Sequence, residues 1–166
     1  MILQFNKKYN FAEKIINSIP SKFFEFATES EYIDELLKYR DVANTKDIKI
    51  HTIRDDFKNR WNVGRSIHFC EWSKKPYNSR NIQFAPLMTV LKIQNVKILE
   101  YFMTASETSY KMPDDTIYGI EIDGIRLKRE AMYQFSKNDG FPNLIEFFKY
   151  FKRFEGKIIH WTDFAY

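Results

Sequence analysis

The sequence predicts a mixed α+β domain, with a sheet of about five or six strands and helices toward both ends of the chain, or a small barrel with helical additions. Three observations carry this expectation. Apolar residues recur at helical spacing near both ends. The middle holds segments of alternating β-branched and aromatic residues, and turn formers bound each segment. At 166 residues, 44% apolar and 17% aromatic, the chain suits one domain with a core rich in Phe and Tyr. That composition excludes a disordered or fibrous chain.

Each element follows from a local pattern. Asn10 with Glu13 has capping-box spacing, and Phe11, Ile15, Ile16 and Ile19 share a helical face before Pro20 stops the run. Thr28 and Glu31 repeat that spacing ahead of Tyr32, Ile33, Leu36 and Leu37, so a second helix ends near Tyr39. The period then changes. DIKIHTI, RSIHFCEW, LMTVLKI, VKILEYF and YGIEI read as strands, with the Val63-Gly64 corner between the first two. Asp123-Gly124 is the dipeptide of a tight turn, although the apolar run after it is short. Leu127, Ala131, Met132 and Phe135 restore helical spacing, which Asn138-Asp139-Gly140 ends. Asn143 and Glu146 form another capping pair for the stripe Leu144, Phe147, Phe148 and Phe151, a core stripe with Gly156 at its C-terminal cap. KIIHWTDF is the last strand.

Several function classes are disfavoured. No apolar run approaches the roughly 20 residues that cross a bilayer, and MILQFNKKYNF lacks the order of a signal peptide, so a soluble cytoplasmic protein without a membrane partner is expected. Cys70 has no second cysteine to pair with and reads as a small buried hydrophobe. His51, His68 and His160 are dispersed without metal-ligand spacing, so no metal is expected and each reads as a hydrogen-bonded residue in or beside the sheet. The glycines match no phosphate-binding or dinucleotide pattern, no GxSxG elbow occurs, and no cofactor is expected.

The charge distribution is more informative. Net charge is +4. Arg54, Lys58, Arg60, Arg65, Lys74, Lys75 and Arg80 are interleaved with Trp61, Trp72 and Tyr77. Cations that neutralise phosphates, mixed with rings on which bases stack, suit single-stranded RNA or a nucleotide. An ordinary solvated loop has the same composition.

Within KIHTIRDD, Lys49, Thr52 and Arg54 are the remaining candidates for chemistry. A threonine hydroxyl needs a base to become a nucleophile, and a lysine serves as one when burial or a nearby cation lowers its pKa. Residues three apart on a regular strand point to opposite faces, so Lys49 and Thr52 converge only if the strand bends, bulges or ends between them. The alternative is a solvent-facing strand edge alternating with Ile48, Ile50 and Ile53.

KIHTIRDD followed by RWNVGRSIHF, then LKIQNVKIL, NDGF leading into FFKYF, and GKIIHWTDFAY, together resemble the ASCH family, a branch of the PUA-like small β-barrels. The resemblance spans Met1 to Tyr166 apart from residues 20 to about 47, which read as a helical insertion into a single domain. It implies a PUA-like barrel with flanking helices and a cleft for a cytidine-type nucleoside or single-stranded RNA. A few small bacterial members hydrolyse the amide of N4-acetylcytidine, and ribonuclease activity has been proposed for others. Carried over, the catalytic lysine is Lys49, the nucleophilic or water-positioning threonine is Thr52, and Arg54 lines their pocket. The third group, a glutamate in those enzymes, falls on Asp139, one methylene shorter, which reads equally well as a helix cap. Glu146 is the substitute acid. Substrate binding is expected of Arg54, Trp61, Arg65 and Trp72, with Tyr77 as a further stacking ring.

Two functions of different class therefore stand: an amidohydrolase of N4-acylcytidines, and a non-catalytic RNA or nucleotide reader using the same cleft. A protein-docking role for residues 28 to 40 is the third.

Overall fold

Among the residues that the computed structural model describes, 1–25, 47–101 and 106–166, ten strands sort into two sheets. In chain order they are β1 (Ile2–Phe5), β2 (His51–Arg54), β3 (Ser66–Trp72), β4 (Asn81–Gln83), β5 (Met88–Thr89), β6 (Lys92–Tyr101), β7 (Tyr110–Lys111), β8 (Ile117–Ile122), β9 (Ile125–Arg126) and β10 (Phe154–His160). The first sheet runs β1, β3, β4, with β5 also on β3; the second runs β2, β10, β6, β8, β7, with β9 on β8. Among the described residues neither sheet closes into a barrel. Only the β1–β3 pair is parallel.

The strand count exceeds the expected five or six because β1, β4, β7 and β9 are too short to show a period. LMTVLKI is also divided between the sheets. The Val90 N–H donates to the Arg65 carbonyl and the Leu91 N–H to the His160 carbonyl, so one apolar run leaves the first sheet and enters the second. Asp123 and Gly124, with φ 49° and 85°, make the two-residue turn of the β8–β9 hairpin.

Four α-helices flank the sheets among the described residues: α1 (Phe11–Ser18), α2 (Lys22–Glu25), α3 (Arg129–Asn138) and α4 (Leu144–Phe151). Asn10 does not cap α1 with its side chain. It takes a left-handed conformation and its N–H returns to Lys7, closing the 3-10 turn Lys7–Tyr9. The helix expected from Thr28 to Tyr39 lies outside the described residues, as does most of the expected insertion. At α4 the Asn143 side chain accepts from the Glu146 N–H at 2.9 Å, half of the expected box, while the Glu146 carboxylate takes the Tyr9 hydroxyl instead.

Helix α4 ends at Lys152, not near Gly156. Gly156 lies inside β10, where a Cβ would collide with the Arg54 carbonyl and the Phe154 ring. The glycine thus lets β2 close on β10. Both sheets and the helices share one apolar core that includes Phe69, Phe84, Phe135, Phe147, Phe148 and Trp161. No helix among the described residues is long and apolar enough to cross a membrane.

Candidate functional site

Helix α3 ends in a way that positions a carboxylate. The Gly140 N–H bonds to the Lys137 carbonyl and the Phe141 N–H to the Ser136 carbonyl, the paired bonds of a Schellman turn, and Gly140 supplies its left-handed φ of 85°. Asp139 is therefore the residue at the cap, yet its side chain turns inward. A Cβ on Gly140 would press on the Phe11 ring and on Cδ of Lys49, so the turn needs glycine for space as well as for φ.

The same helix end anchors the segment before β2. The Ile50 N–H donates to the Asn138 carbonyl at 2.9 Å, and the Lys49 N–H donates to the Lys14 carbonyl at 3.0 Å. Pairing with β10 starts only at His51. Lys49 therefore precedes the strand and is freed from its alternation, which meets the geometric condition set by the three-residue spacing. The solvent-facing edge fails as a description. Lys49 and Thr52 are each 1% exposed.

Lys49 Nζ donates to Asp139 Oδ1 at 2.6 Å and to the Asp139 carbonyl at 2.5 Å. Burial lowers the lysine pKa, the Asp139 carboxylate pulls it partly back, Arg54 and Lys14 lower it further, and it settles at about 8. Roughly one-tenth of the amine is then neutral at pH 7. For Asp139, burial opposes ionisation, but Lys49 and His51 outweigh it and hold the carboxyl below its usual range. At neutral pH Asp139 is a carboxylate and has no proton to give.

Thr52 and Arg54 complete a small cavity of about 20 Å³ whose walls include Gln4, Phe5, Phe11, Phe141, Tyr150 and Phe151. Lys49, Thr52, Arg54 and Asp139 thus meet in one place, from two segments of chain. Arg54 has a structural duty too. It donates from Nη2 to the Gln4 carbonyl at 2.8 Å and from Nη1 to its neighbour Ile53 at 3.0 Å, so β2 at the edge of one sheet is tied to β1 at the edge of the other.

Outside this cavity a wider cleft of about 440 Å³ continues over Lys7, Trp72, Lys74, Pro76 and Tyr77, and shares Gln4, Phe5, Asn6 and Tyr150 with it. Trp72 and Tyr77 pair with ring centroids 5.4 Å apart. Trp72 therefore borders the outer cleft. Trp61 does not: it is 6% exposed, packed in the core, and its indole is spent on the fold. Arg65 lies on the surface, away from both hollows, with Nη1 on the Arg60 carbonyl at 2.6 Å. Glu146 sits on the first turn of α4 with Tyr9, Lys8 and Lys149, and does not line the cavity.

Sequence reasoning missed a supporting chain behind Asp139. Asn138 Nδ2 donates to the Tyr166 hydroxyl at 2.8 Å, that hydroxyl lies 2.8 Å from His51 Nε2, and His51 Nδ1 lies 3.5 Å from Asp139 Oδ1. With the tyrosine proton on the Nε2 side, the Nδ1 proton faces the carboxylate. Burial lowers the His51 pKa and keeps the ring neutral. His160 is the cross-strand neighbour of His51, so the two are not dispersed, and neither His160 nitrogen has a partner among the described residues. Its burial, with His51 and Lys92 nearby, brings its pKa down to about 3. Among the described residues no cluster of His, Cys, Asp and Glu could hold a metal.

The alternation of β2 hints at His51, since it adjoins Thr52 on the opposite face, but nothing in the sequence joins it to Tyr166. Comparison with family models, curated proteins and solved structures finds no match.

Proposed function

We propose that the chain is an ASCH-type amidohydrolase of N4-acylated cytidines, with a PUA-like arrangement of strands around its cleft. The observation that carries this reading is the meeting of Lys49, Thr52, Arg54 and Asp139 at one buried cavity in which the lysine is partly neutral.

The chemistry follows from the charges. Neutral Lys49 takes the Thr52 proton, and the hydroxyl oxygen attacks the acyl carbonyl carbon. The oxygen that gains charge faces Arg54, which has spent two of its five donors on backbone carbonyls and keeps its full positive charge. When the carbon–nitrogen bond breaks, the Lys49 ammonium returns the proton to the departing exocyclic amine. Water, deprotonated by the same lysine, then attacks the acyl carbon, and the lysine returns that proton to the Thr52 oxygen as the carboxylic acid leaves. Asp139 is not the acid in this sequence. Its carboxylate holds Lys49 in place and favours the ammonium that forms in each step, which relieves the missing methylene of any need to reach the leaving group.

The test is direct. Wild-type protein should release cytidine and acetate from N4-acetylcytidine, and Lys49→Ala and Thr52→Ala should each lower kcat/KM by about a hundredfold or more, Thr52→Ala doing so without stranding a buried charge. A wild-type protein inert toward a panel of N4-acylcytidines would sink the proposal.

One observation favours a second reading, a non-catalytic reader of single-stranded RNA or nucleotide. The outer cleft joins two aromatic rings, Trp72 and Tyr77, to two lysines, Lys7 and Lys74, the mixture on which bases stack and phosphates rest.

A further inference from the structure

The geometry points to Gln4 as a specificity-determining residue, whose side-chain carboxamide reads the N3 and N4 edge of the pyrimidine. The inference rests on the amidohydrolase reading above and deepens it.

Gln4 belongs to β1, where Leu3 and Phe5 on either side are buried in the core. Its backbone carbonyl is occupied by Arg54. Its side chain is not so provided for. Oε1 and Nε2 are both buried and neither has a hydrogen-bond partner among the described residues. Buried polar atoms are nearly always paired, and an apolar side chain of the same shape would avoid the penalty of leaving them unmade. Two orphaned atoms on one amide therefore call for a partner that arrives from outside.

Location says where it arrives. Gln4 lines both the inner cavity with Lys49 and Thr52 and the outer cleft with Trp72 and Tyr77, so anything seated with its acyl group at Thr52 and its sugar outward passes this amide. The inner cavity, about 20 Å³, is far smaller than the roughly 300 Å³ at which small-molecule pockets usually begin, so it takes at most the acyl group, and the base stays beside Gln4 at the mouth of the outer cleft. Chemistry says what the partner is. A carboxamide offers an acceptor beside a donor in one plane, the complement of a heterocycle edge with a donor beside an acceptor, as glutamine shows with adenine. An N4-acylcytosine has that edge: N3 accepts and N4–H donates. The product cytosine keeps both.

The inference is tested on cytidine and 3-deazacytidine, in which a C–H replaces N3. Calorimetry on the full chain should show wild type binding cytidine about 10- to 100-fold more tightly than the deaza analogue, and Gln4→Leu should erase the difference by weakening cytidine alone. KM for N4-acetylcytidine should rise in that variant with kcat little changed. Because an unpaired amide has been removed, its Tm should stay level or rise. Equal discrimination by wild type and Gln4→Leu, with N4-acetylcytidine still hydrolysed, overturns the role of Gln4 and leaves the amidohydrolase standing. A Tm lower by several degrees in both Gln4→Leu and Gln4→Met overturns it as well, since the amide would then support the fold. A wild type that neither binds cytidine nor cleaves any N4-acylcytidine removes both proposals together.

Discussion

At the scale of single residues, Lys49 and Asp139 constrain each other's charge. Each is almost wholly enclosed, so removing one strands the other. Lys49→Met should cost about 3–5 kcal/mol, because a buried carboxylate is left uncompensated, whereas Lys49→Met combined with Asp139→Leu should recover most of that loss. Chemical denaturation of the two single variants and the double one checks this; additive costs would contradict the coupling. Asp139→Asn keeps the shape of the side chain and removes its charge. That charge holds the lysine pKa up, so without it the rise of activity with pH should move to lower pH, and an unmoved profile would mean that the carboxylate does not act on Lys49. Lys49, Thr52 and Arg54 were candidates in the sequence through the family resemblance, since their pattern alone suits a solvent-facing strand edge equally well. Their convergence was not legible there. It depends on the Ile50 N–H bonding to Asn138, a contact between distant segments that no local period encodes.

Elements decide whether those residues meet. The turn after α3 holds Asp139 with its backbone and makes room for Lys49 with the bare Cα of Gly140. Gly140→Ala should therefore lose about 1–3 kcal/mol from its left-handed φ, and activity should fall further than stability because the new methyl presses on the Lys49 side chain. Thermal unfolding beside kcat/KM separates the two effects; unchanged activity would show that Lys49 tolerates displacement. The turn was legible, since Asn-Asp-Gly after an apolar helical stripe is a C-terminal signal. The Asn143 cap was legible for the same reason. Strand β1 was not, because four residues show no period, and with it went Gln4. Gly156 misled for a physical reason: a glycine near a helix end can mark a cap, but this one serves the close approach of β2 to β10.

Across the whole molecule, the site lies where the edges of two sheets meet, β1 from one and β2 from the other, joined by Arg54. Trp61 reads in sequence as a stacking ring and proves to be core, since burial depends on the packing of both sheets and not on neighbouring charges. The basic residues divide similarly: Lys74 borders the outer cleft, while Arg65 turns back onto Arg60. If the cleft carries a strand of RNA, affinity should fall steeply with salt, and Lys74→Ala with Lys75→Ala and Arg80→Ala should flatten that slope. Binding that ignores salt would restrict the ligand to a nucleoside.

The proposed mechanism requires a neutral Lys49 to activate Thr52, and the pH dependence of kcat/KM for N4-acetylcytidine, followed from about pH 6 to about pH 10, tests that most directly. The expected profile rises about tenfold per pH unit below a lysine pKa of about 8 and levels above it. A profile flat across that range, one that falls as pH rises through 8, or no turnover at any pH would contradict it.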